Sequence, residues 1–280
     1  MKTETNSTLK EIVQEKYGQI ADQSKEQNET SCCGVGCCDT IDYTIMADDY
    51  SKLEGYVKEA DLGLGCGLPT EFALIKPGDT VVDLGSGAGN DCFVARAIAG
   101  ESGKVIGIDF TERMIEKAKL NAQRLGFTNV EFRQGDIENM PLAGSIADVV
   151  VSNCVLNLVP DKKRAFAEMF RVLKAGGHFS VSDIVLAGNL PEGLQSSAEL
   201  YAGCVSGAIQ KDEYLSMMER AGFKNIQVQK EKRIVLPDEL LSQYLTSEQK
   251  EEFTSGSTGI FSITVYGEKP DACCGPGCCN

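Results

Sequence analysis

Apolar positions recur along this chain in two patterns, one with the spacing of an amphipathic helix and one with that of short buried strands. Near the start, helical spacing predicts a helix over residues 8–22, which we expect to cap another element. Its apolar face consists of Leu9, Ile12, Val13, Tyr17 and Ile20. From about residue 80 onward, short apolar runs alternate with longer helical stretches, which is typical of a parallel sheet wound with helices.

Five strands and three helices are predicted in the middle of the chain. The predicted strands cover residues 80–84, 104–109, 130–134, 147–152 and 177–182. The predicted helices include residues 90–99, 111–125 and 162–173. Five strands in this order are enough for a doubly wound, Rossmann-like sheet, so we predict an α/β fold.

Beyond Asp183 the pattern predicts a smaller appended C-terminal α+β region. Its predicted helices lie near 194–206, 212–221 and 238–244, and its strands at 225–235 and 259–266. We divide the chain into an N-terminal helical and cysteine-rich cap (1–70), the sheet domain (71–185), the C-terminal substrate region (186–270) and a cysteine-rich tail (271–280).

Charge and hydropathy limit the kinds of partner that we expect this chain to bind. The chain has 27 basic and 41 acidic side chains, a net charge of −14, and has no basic block that could follow a phosphate backbone. The first fifteen residues lack the apolar core of a secretory signal, and no apolar run approaches the roughly 18 residues of a membrane helix. We expect a cytoplasmic monomer that binds neither nucleic acid nor membrane.

A glycine-rich turn, DLGSGAG (83–89), follows the first predicted strand. Its glycines allow the backbone to approach a ligand closely. A dinucleotide fingerprint would place glycine at its sixth position, where this chain has Asn90. The second strand ends in Asp109, twenty positions after Gly89, where an acid can bind the two hydroxyls of a ribose.

The acid that precedes the glycines, Asp83, favours a ligand with an amino group or a sulfonium over a pyrophosphate. We therefore predict S-adenosylmethionine, with a dinucleotide as the alternative. After the third strand, Asp136 can accept from the adenine amino group, and Asn153 ends the fourth strand region. For Met114, packing of its helix is an equal alternative to an adenine contact. The predicted cofactor residues are Asp83, Gly85, Ser86, Gly87, Asp109, Phe110, Met114, Asp136, Ile137 and Asn153.

Twelve cysteines are the main chemical clue, because thiols in a reducing compartment usually stay free as ligands or nucleophiles. Cys154 follows the fourth predicted strand, Cys66 precedes the first, and Cys204 follows the fifth. All three belong to segments that can fold over the same rim of the sheet. Three converging thiolates suit a soft, thiophilic centre. We assign Cys92, in the first helix, to packing.

Zinc is the obvious rival for such thiols. A structural zinc site normally has close Cys-x-x-Cys spacing and four ligands, whereas these three cysteines are scattered. The one histidine, His178, falls in a predicted strand, which leaves no evident imidazole for general-base catalysis. Trivalent arsenic needs no base, because it carries its own lone pair. We therefore predict arsenic as the acceptor of a methyl group.

Four segments carry a resemblance to a known family: DLGSGAGNDCFVA, IGID, SNCVLNL and GCG. Together they make the chain, from about Tyr43 to Val235, resemble the microbial arsenite methyltransferases. The resemblance implies S-adenosylmethionine-dependent methylation of arsenite, or of its thiol complexes, to mono- and dimethylated arsenicals.

The resemblance also implies roles for individual cysteines. Cys154 and Cys204 would hold the arsenic, while Cys66 and one N-terminal cysteine, Cys32 or Cys33, would assist binding and be left oxidised as a disulfide. A thiol reductant, glutathione or thioredoxin, must then open that bond. The doubled pairs in CCGVGCC (32–38) leave the choice of N-terminal cysteine open.

The C-terminal run CCGPGCC (273–279) nearly copies that N-terminal motif. We hypothesise that Cys273, Cys274, Cys278 and Cys279 capture metalloid or pass it on; incidental thiols in a tail are the alternative. Two other functions stay open for the whole chain. One is methylation of another small acceptor, which the scattered cysteines disfavour, and the other is a non-catalytic thiol-rich metalloid binder, which the intact cofactor motif disfavours.

Overall fold

The computed structural model of the chain describes residues 2–23, 28, 48–189, 207–235, 238–255 and 258–271. Within this part, seven strands form one sheet in the order β3-β2-β1-β4-β5-β7-β6. Strands β1 to β5 pair in parallel, β7 pairs antiparallel with β5, and β6 pairs antiparallel with β7. The strands are β1 (Thr80–Leu84), β2 (Lys104–Asp109), β3 (Val130–Gln134), β4 (Ala147–Asn153), β5 (Leu173–Ala187), β6 (Lys224–Ile234) and β7 (Gly259–Glu268).

Eight described α-helices accompany the sheet. They are α1 (Lys2–Ala21), α2 (Pro69–Phe72), α3 (Asn90–Ala99), α4 (Glu112–Arg124), α5 (Lys162–Val172), α6 (Lys211–Arg220), α7 (Asp238–Tyr244) and α8 (Ser247–Ser255). Short 3-10 turns occur at Lys58–Ala60 and Leu156–Leu158. No helix in these ranges has the length and apolarity that a bilayer crossing demands.

Helices cover both faces of the sheet, as the near-continuous apolar strands require. On one face, Phe166 of α5 and Tyr214 of α6 are fully buried in a core with strand residues. On the other face, Phe93 of α3 and Met114 of α4 are buried in a second core, which also includes Ala21 of α1. Two helical layers therefore sandwich the sheet, and the prediction of a doubly wound α/β fold is confirmed.

The C-terminal strands extend this same sheet. Strand β5 runs through residue 185, where we divided the sheet domain from the C-terminal region, and β7 pairs along β5 from His178 to Ala187. The helix predicted at 194–206 lies outside the described residues. Helix α8 was not predicted, because its sequence SEQKEEFTS contains a single large apolar residue, Phe253, and therefore no helical apolar repeat.

The strand order reverses beside β1, whose neighbours are β2 on one side and β4 on the other. In open α/β sheets, ligands bind outside the carboxyl ends of the strands at this switch point. Segments that follow β1, β2, β3 and β4 meet there, and so does the segment that precedes α2.

Candidate active site

A cleft of about 1110 Å³, open to solvent, lies at the switch point. Its walls include all ten residues that the sequence predicts for cofactor binding: Asp83, Gly85, Ser86, Gly87, Asp109, Phe110, Met114, Asp136, Ile137 and Asn153. Cys154 lies on the same wall. The carboxyl ends of four neighbouring strands thus bring these distant residues together.

The glycine-rich turn has the backbone geometry that excludes other residues. Gly85 has φ 68°, and a Cβ there would lie 2.2 Å from a methyl carbon of Val155. Gly87 has φ 51°, and a Cβ there would meet nothing within 4 Å, so this part of the turn faces open space. The N–H of Gly87 donates to Asp109 Oδ2 at 3.0 Å, which fixes the turn against the end of β2.

Asp109 is held as an acceptor at the end of β2. The N–H of Thr111 donates to its other oxygen, Oδ1, at 2.8 Å. Burial raises the pKa of Asp109, while the N–H groups of Thr111 and Gly87 oppose the rise by stabilising the carboxylate. The side chain is therefore oriented before any ligand arrives.

Three acidic side chains contribute to the cleft wall. Asp61, Asp83 and Asp91 all line it and are all buried. Burial raises the pKa of Asp83 well above its ordinary value and that of Asp91 to about 6. Among the described residues, no Lys, Arg or His forms an ion pair with Asp83 or Asp91. Such a cleft favours a ligand that brings its own positive charge.

Sequence reasoning missed Asp61 and Asp91, and also Tyr50, whose hydroxyl lies 2.9 Å from Asp91 Oδ2. Asp91 had a local signal, because it lies in the first turn of α3 directly after the glycine turn. Tyr50 had none, since its contact with α3 spans 41 residues of chain.

Within the part of the chain that the structure describes, two buried polar atoms on the cleft wall have no hydrogen-bond partner: Ser86 Oγ and Asn90 Oδ1. Buried polar groups are nearly always hydrogen-bonded, so unsatisfied atoms in one cleft indicate a polar ligand. These atoms, the acids and the glycine turn fit a nucleoside that carries an amino-acid end, as S-adenosylmethionine does.

The N-terminal helix predicted at 8–22 runs from Lys2 to Ala21, and it covers the cleft. Lys10, Val13 and Tyr17 line the cleft wall, and Val13 is 1% exposed. Lys10 Nζ lies 2.6 Å from Asp136 Oδ2 and also donates to Glu138. The predicted adenine acceptor is thus linked to the N-terminal helix.

Two of the three predicted arsenic ligands meet at the edge of the cleft. Cys66 and Cys154 form a disulfide with a Cα–Cα distance of 5.7 Å, and both are buried. One oxygen of Asp183 and the two sulfurs all lie within 4.8 Å of one another. The other predicted cysteines, Cys204, Cys32 and Cys33, lie outside the described residues.

This pairing differs from the one that the family resemblance implies. Cys66 is bonded to Cys154 in the described state, and not to Cys32 or Cys33. The physical reason is local: Asn153 Oδ1 accepts the N–H of Cys66 at 3.0 Å, which places Cys66 beside the residue that follows Asn153. Cys154 has φ 59°, an uncommon conformation for a residue other than glycine.

Asp183 was also missed as a site residue, although it directly follows the predicted fifth strand. Tyr214 donates its hydroxyl to Asp183 Oδ2 at 3.0 Å, and the N–H of Ile184 donates to Oδ1 at 2.9 Å. Burial raises the pKa of Asp183 to about 7. A carboxyl group therefore lies beside both sulfurs.

Two other residues that the sequence analysis considered, His178 and Cys92, make contacts within the fold. His178 Nε2 lies 2.6 Å from the carbonyl oxygen of Ala73. Cys92 of α3 is fully buried in the core that α3 and α4 share, which agrees with its assignment to packing, and its Sγ donates to Asp83 Oδ2 at 3.2 Å.

The fold and the cleft define a class of protein, and comparison with known families agrees. Residues 75–222 match a family described as "Methyltransferase domain", and the class is that of S-adenosylmethionine-dependent methyltransferases.

Individual relatives identify the family within that class. The chain is 40% identical over 232 residues to an arsenite methyltransferase of Halobacterium salinarum. The aligned region covers 78% of this chain and 58% of that relative. It is 32% identical over 244 residues to the arsenite methyltransferase of Aquipseudomonas alcaligenes, covering 85% of this chain and 68% of the relative. The chain belongs to the arsenite methyltransferase family.

A solved structure agrees with this assignment. CrArsM, an arsenic(III) S-adenosylmethionine methyltransferase from Chlamydomonas reinhardtii, matches with a TM-score of 0.60 and 32% identity, over 76% of this chain and 68% of that one. This chain nevertheless spans less than two thirds of the halobacterial relative.

Proposed function

We propose that this protein transfers the methyl group of S-adenosylmethionine to trivalent arsenic held by cysteine thiolates. The observation that carries the proposal is the position of Cys66 and Cys154: their sulfurs meet at the cleft edge, and Cys154 itself lines the cleft. Sulfur ligands suit a soft centre, and membership of the arsenite methyltransferase family supports arsenic as that centre.

The cofactor would lie along the carboxyl ends of the strands. Asp109 would bind the ribose hydroxyls, Asp136 the adenine amino group, and Asp83 with Asp91 the ammonium end. Bound S-adenosylmethionine supplies a methyl group made electrophilic by its sulfonium. Asp83 and Asp91 have no cationic partner among the described residues, which supports a cationic ligand at that end of the cleft.

The thiols must be reduced before arsenic can bind. We propose that a thiol reductant, glutathione or thioredoxin, opens the Cys66–Cys154 bond and is itself oxidised to a disulfide. Arsenite, or its thiol complex, then exchanges its ligands for Cys66, Cys154 and Cys204. Sulfur ligation leaves the arsenic lone pair free, and holding the two reactants together can supply several kcal/mol of the barrier.

An N-terminal cysteine, Cys32 or Cys33, would assist at the same place. The flanks of their segment support this role. Asn28 Nδ2 donates to the carbonyl oxygen of Leu62 at 3.0 Å, and the Tyr50 hydroxyl lies 3.1 Å from the carbonyl oxygen of Gly67. Both flanks are therefore bonded to the short segment that carries Cys66.

We further propose that successive turnovers give mono- and dimethylated arsenicals, and that the protein acts as a cytoplasmic monomer. Labelled S-adenosylmethionine, arsenite and a thiol reductant, incubated with the full chain, test the function through the labelled products. We expect methylated arsenicals, and we expect none without reductant, because the disulfide then stays closed. Cofactor binding without arsenic methylation would instead indicate another acceptor, and arsenic binding without cofactor binding a scavenger.

A further inference from the structure

One side chain joins the disulfide to the acidic end of the cleft. Asn153 ends β4, and its Oδ1 accepts the N–H of Cys66 at 3.0 Å. Its Nδ2 donates to the carbonyl oxygen of Gly67 at 2.8 Å and lies 3.2 Å from Asp91 Oδ2. Asn153 therefore contacts both sides of Cys66 and a carboxylate of the cleft.

Tyr50 closes this network from the other side. Its hydroxyl lies 2.9 Å from Asp91 Oδ2 and 3.1 Å from the carbonyl oxygen of Gly67, and it also accepts from Asn153 Nδ2. Tyr50 is 4% exposed, so water does not screen these contacts. Hydrogen bonds in such surroundings are strong and mutually dependent.

The residues on either side of Cys66 are closely packed. A Cβ at Gly65 would lie 2.6 Å from Asn153 Nδ2, and a Cβ at Gly67 would lie 2.5 Å from Ser182 Oγ. Closely packed groups move together. A shift of Cys66 when the disulfide opens must therefore displace Asn153 or break its bond to the Cys66 N–H.

We propose that Tyr50, Asp91 and Asn153 form a positioning network that couples the redox state of the Cys66–Cys154 pair to cofactor affinity, the disulfide form binding more tightly. The disulfide fixes the Cys66 segment, and through Asn153 it fixes Asp91. Opening the disulfide takes two electrons and two protons from two thiols of the reductant, which become a disulfide. The network is then less ordered and must be ordered when the ligand binds.

Because ligand binding and redox state are thermodynamically linked, the coupling affects the order of product release and disulfide reduction. A ligand that prefers the disulfide form stabilises that form to the same extent. Bound cofactor product therefore protects the disulfide, and the reductant acts mainly after the product has left. The inference rests on the proposed function only in taking the cleft as the S-adenosylmethionine site.

Calorimetric titration of the full chain with S-adenosylhomocysteine tests the coupling, because this ligand has the ammonium end but transfers nothing. We expect its Kd to be at least about fivefold weaker for reduced than for oxidised protein, the lower end of typical coupling between sites. In a Cys66→Ser/Cys154→Ser double variant the same redox treatments should leave the Kd unchanged, which assigns the effect to this bond.

Variants of the network separate coupling from mere structure. Tyr50→Phe should reduce the ratio of the two Kd values below about twofold. Asp91→Asn should do the same if Tyr50→Phe fails to fold. Tyr266→Phe is the matched control, since it also loses one hydroxyl, the one that donates to Glu268, and should keep the ratio of the unaltered chain.

Equal Kd values for the two redox forms of the unaltered chain would overturn the coupling, and so would a Tyr50→Phe variant that keeps the full ratio. Neither titration contains arsenic. A failure to methylate arsenite therefore leaves this inference intact, whereas redox-independent binding of S-adenosylhomocysteine ends it without touching the proposed reaction. Absence of any binding would remove the cofactor assignment and the coupling together.

Discussion

Single carboxyl groups give the cleft its selectivity. Asp83 and Asp91 are buried close enough for the charge of Asp91 to raise the pKa of Asp83. A bound ammonium group would offset the cost of burying the two carboxylates and the repulsion between them. The relief of both costs would contribute to the binding free energy of the ligand. The nearby donors Tyr50 and Asn153 favour the ionised form of Asp91.

This charge makes cofactor affinity depend on pH. The pKa of Asp91 is raised to about 6 in the ligand-free protein, and Tyr50, Asn153, Asp61 and Asp83 surround it. Because an ammonium group needs the ionised carboxylate, affinity should be full above the raised pKa and fall below it by up to about tenfold per pH unit. Calorimetric Kd values for S-adenosylhomocysteine across this range measure the effect.

Asp91→Asn should make this pH profile flatter while weakening binding at neutral pH. A Kd for the unaltered chain that stays constant well below pH 6 would contradict the role of Asp91.

A second residue-scale prediction concerns the fit around Cys66. Gly67→Ala should cost about 1–3 kcal/mol of stability, because the new methyl group overlaps Ser182 Oγ, and it should also slow methylation by displacing Cys66. Gly126→Ala is the control: its Cβ meets nothing within 4 Å, so it pays only the strain of its positive φ, about 1 kcal/mol. Denaturant unfolding and initial rates compare the two, and equal losses of activity would contradict the account.

Among the described helices, α1 supplies the most residues to the cleft wall. It supplies Lys10, Val13 and Tyr17 to the wall, and Lys117 of α4 holds its end by donating to the carbonyl oxygens of Ala21 and Gln23. The described sheet is complete without α1, since its seven strands come from other parts of the chain. The helix therefore contributes to the cleft and not to the sheet.

Deletion of residues 1–23 should therefore weaken S-adenosylhomocysteine binding by at least about tenfold, the loss expected when a closing element is removed from a largely buried ligand. Circular dichroism should still report the folded sheet. Arg113→Ala is the comparison, since it removes an exposed ion pair with Asp22 and a 3.4 Å hydrogen bond to the carbonyl oxygen of Gly18 but leaves α1 in place, and it should change the Kd little. Unchanged affinity after the deletion would mean that α1 does not cover the ligand.

Elements were predictable where the apolar repeat was strong. The bounds of β1, β2, β3 and α3 agree with the sequence prediction. For β1 and β2 the reason is that buried parallel strands are largely continuous apolar runs, whereas in β3 only Phe132 is buried. Strand β5 was predicted at 177–182 but runs from Leu173 to Ala187, since its pairing with β4 begins at Leu173 and its pairing with β7 continues to Ala187.

At the scale of the whole molecule, the sequence predicted the residues of the cleft wall better than the hydrogen-bond network of Tyr50, Asp91 and Asn153. Nine of the ten predicted cofactor residues lie at or just after the ends of strands, and Met114 lies in the first turn of α4 after β2. Topology alone brings strand ends together. The bond between Asn153 and Cys66 spans 87 residues, and that between Tyr50 and Asp91 spans 41. No local spacing encodes such contacts, so Tyr50 and the Cys66–Cys154 pairing needed the folded chain, whereas Asp91 had a local signal in the first turn of α3.

The cysteine-rich tail gives a prediction at this scale. If residues 271–280 capture metalloid, their deletion should slow methylation at limiting arsenite and leave the rate unchanged at saturating arsenite. Initial rates over a range of arsenite concentrations measure this. Identical rates at every concentration would end the capture hypothesis.

The most direct test of the account is the turnover of arsenite by Cys154→Ser. The variant should bind S-adenosylhomocysteine like the unaltered chain in the reduced state, yet produce methylated arsenicals at least about a hundredfold more slowly, because arsenic would no longer be placed beside the cofactor. Full turnover by a variant that lacks this sulfur would contradict the claim that cysteine thiolates hold the methyl acceptor.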